Sequence, residues 1–261
     1  MIKKLLLGNK RLQRFWWFIF RLSVKGLNYD RGHIPSANGE RFALGFVLRH
    51  LKSVALPVIF DVGANRGQYL QMAKESSKRE FQIYCFEPQS SAVQSLNDIA
   101  AKYKHVVVEH IGMSDRPGKS VIYRDSESSE YASLYESDYS QYKVKLSFQE
   151  EIKLTTIDEY CNANGIDEIH FLKLDVEGHE ISVLKGAKWM ISAARINFIQ
   201  FELGLASIES RVFLKDFFRV LNDYSIYRIL PNGLDKINYS EYSELFLTTN
   251  YLAVHNNQQI K

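Results

Sequence analysis

Val58-Ile59-Phe60-Asp61-Val62-Gly63-Ala64-Asn65-Arg66-Gly67-Gln68-Tyr69 is the stretch that decides the fold. An apolar run reaches a carboxylate and breaks into a loop with glycines at 63 and 67. The segment from Gln68 to Lys74 then reads as a helix. Strand, glycine loop and helix form the first unit of a nucleotide-type binding fold, because glycine allows a sharp turn and a close backbone approach to a ligand.

Outward from this unit, strands and helices alternate. Phe81–Phe86 reads as a second strand ending in Glu87-Pro88. Ser90 or Ser91 is the expected cap of a helix over 92–103. Residues 106–110 form a third strand, 169–175 a fourth and 196–202 a fifth, with helices expected over 181–190 and 209–222. Thr156, with Glu159 three residues on, caps a helix. Segments 225–230 and 251–255 read as a closing antiparallel pair. Such alternation implies an α/β fold with a mostly parallel sheet covered by helices on both faces. Between Asp125 and residue 150 the alternation lapses into a Ser-, Tyr- and acid-rich stretch holding Tyr131, Tyr135, Tyr139 and Tyr142. It is read as a mobile lid or substrate loop.

The 261-residue length fits one large domain with an appendage, and 46% hydrophobic residues suffice for a sizeable core. We expect an N-terminal basic and aromatic helical extension over 1–52 and the main domain over 53–256. A net charge of +3 gives no ground for a nucleic-acid partner. Cys85 sits in an apolar strand, a buried thiol rather than half of a disulfide, and a cytoplasmic setting is expected. No Cys/His spacing suggests a metal site.

The first thirty-one residues differ from the rest. Eight basic residues stand against the single acid Asp30 and flank the run Phe15-Trp16-Trp17-Phe18-Ile19-Phe20. The run is too short to span a bilayer, which takes about 20 residues. Two readings follow. One is an interfacial helix giving peripheral contact with the inner face of a membrane. The other is a helix packed on the domain, or on a second subunit of a homo-oligomer.

The chemistry gathers at strand ends. In an open parallel sheet, ligands bind at the carboxyl ends of strands, where strand order reverses. Asp61, Glu87, Asp175 and Glu202 all fall there. Glu87, twenty positions after Gly67, is placed to hold the ribose hydroxyls of an adenosine ligand. A dinucleotide loop requires Gly-x-Gly-x-x-Gly, whereas Gly63 and Gly67 enclose Ala64-Asn65-Arg66, and Asp61 would repel a pyrophosphate. A cationic adenosine ligand, S-adenosylmethionine, fits better. Lys173, Asp175 and Glu177 share a strand face, with His179 following. Asp175, His179 or Glu202 would take a hydroxyl proton, with Lys173 and Glu177 orienting the site. The carboxylates could instead hold a divalent ion.

The segments Asp61-Val62-Gly63-Ala64-Asn65-Arg66-Gly67, Phe86-Glu87-Pro88 and Leu172-Lys173-Leu174-Asp175-Val176-Glu177-Gly178-His179-Glu180 together resemble the FkbM family of S-adenosylmethionine-dependent methyltransferases. Ala132-Ser133-Leu134 and Thr155-Thr156-Ile157-Asp158 also fit its pattern. The resemblance implies a class I methyltransferase fold, a seven-stranded sheet with its last strand antiparallel, and O-methylation of a sugar, glycan or natural-product hydroxyl. It also implies cofactor contacts from Asp61, Gly63, Ala64, Asn65, Gly67 and Glu87, with Ser114 and Asp115 near the adenine. Two other readings are a non-catalytic scaffold of the same fold, docking on a membrane or partner, and a nicotinamide-dependent oxidoreductase.

Overall fold

The computed structural model describes residues 7–31, 38–125, 132–135 and 146–258. Helices α1 (Gln13–Gly26) and α2 (Glu40–His50) precede β1 (Val58–Val62), α3 (Gln68–Ser76), β2 (Gln82–Phe86), α4 (Ser90–Ala100) and β3 (Val106–Glu109). The chain continues through β4 (Gly112–Met113), β5 (Gly118–Arg124), β6 (Phe148–Thr155), α5 (Ile157–Asn164) and β7 (Ile169–Leu174). Then come α6 (Glu180–Lys185), α7 (Lys188–Ser192), β8 (Ile196–Leu203), α8 (Leu205–Glu209) and α9 (Leu214–Val220). The chain closes with β9 (Tyr224–Leu230), β10 (Gly233–Lys236) and β11 (Thr249–His255).

The main sheet has eight strands in the order β10-β9-β11-β8-β7-β1-β2-β3. Strands β3, β2, β1, β7 and β8 run parallel, and β11 enters antiparallel between β8 and β9. This is the class I methyltransferase arrangement with one addition. The eighth strand, β10, hairpins onto β9 and is short and polar. After β1 the chain builds outward through β2 and β3, then returns to the other side of β1 with β7. The order therefore reverses between β1 and β7, which is where ligands bind in such sheets. A second sheet, β4-β6-β5, stands beside that crevice.

Apolar clusters cover both faces of the main sheet. On one, Tyr160 packs edge to face on Phe60 and Phe86, and Phe201 stacks on Phe217 at 3.9 Å between ring centroids. On the other, Phe81, Phe171 and Phe198 meet Ala43, Leu44, Val47 and Leu48 of α2. Burying a side chain of this size stabilises by about 1.5–3 kcal/mol, so α2 is held to the same core as the sheet. Residue 52, the expected end of the extension, lies just beyond this packed helix.

Four local expectations are corrected. The helix expected over 181–190 is two helices divided at Gly186, where an added Cβ would lie 1.9 Å from the carbonyl oxygen of Ser114. The helix expected over 209–222 begins only at Leu214, because Arg211 turns into the left-handed region at φ 57°. The cap of α4 is Gln89; the Ser90 hydroxyl instead donates to Glu150 Oε1 at 2.6 Å. The sheet has eight strands rather than seven. Thr156 caps α5 as expected, accepting from the Glu159 N–H at 3.0 Å. The closing pair β9 and β11 is antiparallel. Cys85 and Cys161 are buried free thiols. Among the described residues no helix is long and apolar enough to cross a membrane.

Candidate active site

β1 delivers Asp61 to the sheet interior, fully buried. Among the described residues neither of its carboxylate oxygens accepts a hydrogen bond, and its counter-charge is Lys173 Nζ at 3.5 Å. Two residues on, Gly63 adopts φ 83°, and a Cβ there would fall 1.8 Å from the carbonyl oxygen of Asp175. The glycine is required because the loops after β1 and β7 touch through their backbones; the Asp175 N–H also donates to the Val62 carbonyl at 3.0 Å. Asn65 follows at φ 45°, a conformation asparagine tolerates better than most residues.

Glu87 stands at the end of β2, 3% exposed. Its Oε2 accepts from the Asn65 N–H and its Oε1 from the Gln89 N–H, each at 2.8 Å. These bonds aim the carboxylate while leaving lone pairs for further donors. Burial pushes its pKa up to about 7, with the two backbone donors pulling the other way. A ligand donating hydroxyls to this carboxylate binds its ionised form. Affinity for S-adenosylmethionine is therefore expected to rise with pH up to about 7 and level off above it. The value at pH 6 should be about tenfold weaker than at pH 8. Calorimetric titration over this range checks it. Glu87→Gln should bind weakly at every pH, with the slope reduced.

Lys173 and Asp175 come from β7 and its end. Lys173 Nζ donates to Asp175 Oδ2 at 3.1 Å and lies 4.9 Å from the Tyr69 ring centroid. Burial would lower this lysine's pKa, but the charges of Asp175, Asp61 and Glu40 overcome it and raise the pKa well above the ordinary value. The carboxylates show the complementary effect. Burial raises the pKa of Asp61 and Glu40, with Lys173 pulling each down, and raises that of Glu202 well above the usual range. Three carboxylates, of Asp61, Asp175 and Glu40, thus share one lysine among the described residues, and the crevice is short of positive charge.

After Asp175 the chain turns through Glu177 and Gly178, both at positive φ, into α6. His179 Nε2 lies 2.9 Å from Ser114 Oγ, and its Nδ1 lies 3.2 Å from Tyr135 Oη. Burial lowers its pKa to about 4, so the ring is neutral at physiological pH. Ser133 bridges to Tyr123 of β5 and donates from Oγ to the Glu177 carbonyl at 2.8 Å. Residues 132–135, one described part of the expected lid, are thus fastened to the loop after β7, and its last three residues, 148–150, belong to strand β6 rather than to a loop. Tyr131, Tyr139 and Tyr142 lie outside the described residues.

These elements enclose a cavity of about 360 Å³. Of the residues singled out from the sequence, Gly63, Ala64, Asn65 and Glu87 line it, as do Lys173, Asp175, Glu177, His179 and Glu202. The others stand behind its wall. Asp61 is beneath Lys173, Gly67 packs on Leu96 and Ile99, and Ser114 with Asp115 supports His179. Sequence reasoning missed Asn38 and Glu40, which also line the cavity. Glu40 Oε2 accepts from Asn38 Nδ2 at 2.8 Å, and its Oε1 accepts from Gln200 Nε2 at 3.3 Å. An acid in the first turn of a helix normally reads as a complement to the helix dipole, so no local signal marked it. An apolar wall from Met113, Ile122, Ile152 and Leu154 completes the enclosure.

The reversal point, the glycine loop against β7 and the ribose-type carboxylate define a class I methyltransferase. The surplus of negative charge fits a donor that carries both a sulfonium and an ammonium group. A family model described as the methyltransferase FkbM domain matches residues 61–224. The chain belongs to the FkbM methyltransferase family, and its cofactor is S-adenosylmethionine. It is 22% identical over 192 residues to the 2-O-methyltransferase NoeI of Sinorhizobium fredii, the match covering 69% of this chain and 76% of that protein. It superposes on the crystal structure of the methyltransferase FkbM from Methylobacillus flagellatus with a TM-score of 0.51 at 17% identity. That superposition covers 76% of this chain and 44% of the other, so the chain spans less than half the length of that protein.

Proposed function

We propose that the protein O-methylates a hydroxyl of a sugar, glycan or natural-product acceptor, with Asp175 as general base. The observation carrying this reading is the Asp175 carboxylate. It lines the cavity with its side chain 39% exposed and is fixed at one oxygen by Lys173. The name of NoeI, a 2-O-methyltransferase, supports the acceptor atom.

When bound, S-adenosylmethionine supplies a methyl group already activated on a positively charged sulfur. The chain's own residues then have three tasks: to align, to exclude water and to remove a proton. Asn65 and Glu87 would hold the ribose, and the apolar wall of Met113 and Ile122 would cover the base. Asp61 and Glu40 would balance the positive charge. Asp175 would accept the proton of the acceptor hydroxyl at a carboxylate oxygen, while the acceptor's own oxygen takes the methyl group and the bonding electron pair leaves with the sulfur. Burial raises the pKa of Glu202 well above the usual carboxylate range, so it supports the cavity wall while Asp175 takes the role of base. His179 is a weak base and is already engaged by Ser114 and Tyr135, so it positions residues 133–135 and the loop carrying Glu177.

Alignment can contribute roughly 7–11 kcal/mol of barrier reduction, and a positioned base typically adds about 10²–10⁴-fold. His179→Ala is therefore expected to lower turnover by less than about 10²-fold, below the usual contribution of a base. Its KM for the acceptor should rise as the 132–135 segment loosens. The function itself is tested by assaying acceptor-dependent S-adenosylhomocysteine release over nucleotide sugars, glycans and lipid-linked sugars. A chelator arm separates a carboxylate base from carboxylates holding a divalent ion. Absence of S-adenosylmethionine binding in calorimetry would instead support the scaffold reading.

A further inference from the structure

Helix α1 leaves most of its apolar side chains uncovered by the domain. Over its length Val24 is buried, while Phe15, Trp17, Phe18, Phe20 and Leu22 are exposed, Phe18 by 63%. Phe15, Phe18 and Leu22 recur at helical spacing on one face. Arg14, Arg21 and Lys25 form a neighbouring stripe, and all three are exposed. The first acidic residue of the chain is Asp30.

The helix is tethered at its carboxyl end. The Tyr29 ring is buried 4.6 Å from the Arg228 guanidinium carbon, and the Arg31 N–H donates to the Thr248 carbonyl at 3.2 Å. Thr248 packs against Gly204, just past the end of β8, and Glu202 at that end lines the cavity. Helix α1 thus leaves the domain on the edge of the sheet where the active site opens.

We propose that α1 docks in the interfacial layer of an anionic lipid bilayer and holds the active-site edge of the domain against it. At 14 residues the helix is about 21 Å long, short of the roughly 30 Å hydrocarbon core, so it lies in the surface and does not cross. Its aromatic side chains belong at headgroup depth, and its arginines and lysine face anionic headgroups. A second copy of this chain is a poorer occupant. An isologous contact through α1 would set the same basic stripe against itself with no acid on the helix to answer it. Resting on the O-methylation reading, the further consequence is that the acceptor hydroxyl belongs to a membrane-borne molecule, such as a lipid-linked sugar.

Flotation of the full chain with vesicles tests the docking without using catalysis, so its failure is separate from failure of the methyl-transfer reading. The protein should float with phosphatidylglycerol–phosphatidylcholine vesicles, weakly with phosphatidylcholine alone, and less as salt rises. Replacing Arg14, Arg21 and Lys25 together by glutamine should weaken binding about a hundredfold, each basic residue being worth roughly a factor of five at such a surface. Trp17→Ser with Phe18→Ser should also release the protein while its S-adenosylmethionine affinity stays unchanged. Failure to float overturns the proposal. So does binding indifferent to lipid charge, and so does a dimer in light scattering that the Trp17→Ser, Phe18→Ser variant converts to monomer.

Discussion

Asp175→Asn is expected to lower turnover of methyl transfer by about 10²–10⁴-fold, the usual contribution of a positioned base, while leaving S-adenosylmethionine affinity within a few-fold of the parent. The asparagine keeps the shape of the side chain and a carbonyl oxygen for Lys173, so the loop after β7 retains its geometry. Lys173 also keeps Asp61 at 3.5 Å, and the buried charge stays compensated. Calorimetry on the same preparation shows that the cofactor site is intact, and single-turnover rates then report the chemical step. A parent-like rate in Asp175→Asn would remove Asp175 from the role of base. Residual activity is expected, because alignment is the larger contribution and does not depend on this carboxylate.

Lys173→Met should lose stability on a comparable scale. Lys173 is 3% exposed and compensates Asp61, which is fully buried and accepts no hydrogen bond among the described residues. Removing one partner of a buried pair typically costs about 3–5 kcal/mol, because the other charge is left unanswered. For a domain of this size that corresponds to a fall of about 10 °C in Tm. The deficit should depend on pH in a defined direction. Burial already raises the pKa of Asp61 and Lys173 holds it down, so without the lysine it rises further. The native state then binds a proton that the unfolded chain releases. Stability is lost as pH rises from the ordinary carboxylate range through the raised native value, and the variant should recover as pH falls. Adding Asp61→Asn should restore much of the loss at neutral pH. Equal stability of Lys173→Met and the parent would show that the pair is not the compensating unit described here.

The parts of this site that were legible in the sequence are those built by one strand and the turn that follows it. Asp61 to Gly67, Glu87, and Lys173 to Asp175 each sit where an apolar run ends in a charge. The strand face expected to continue to Glu177 is lost, because β7 ends at Leu174 and Glu177 turns into the left-handed region at φ 49°. What was not legible comes from distant contacts. Glu40 looks like an ordinary first-turn acid until Gln200, 160 positions away, places it at the cavity. His179 reads as a candidate base in the sequence, and nothing there shows that the Ser114 and Tyr135 hydroxyls lie at its two ring nitrogens. The break at Gly186 reflects the approach of the Ser114 carbonyl, and the late start of α9 reflects the left-handed turn at Arg211. Short-range patterns cannot carry either constraint. The strand β10 is four residues long, pairs with β9 and offers a single apolar side chain, Leu234, to the core cluster, too little to read as a strand.

The close approach of Gly63 to Asp175 and the hydrogen bond from the Asp175 N–H to the Val62 carbonyl join the loops after β1 and β7 into a single mechanical piece. Diversification of the enzyme for new acceptors would then be confined to parts outside that piece. The 125–150 segment and the N-terminal helix are the natural places for it. Exchanging residues 136–147 with those of another family member, which keeps the 132–135 contacts and strand β6, should therefore change which hydroxyl is methylated while leaving S-adenosylmethionine affinity unaltered, as paired binding and acceptor-panel assays would read out. The family would evolve as a fixed engine with interchangeable couplings.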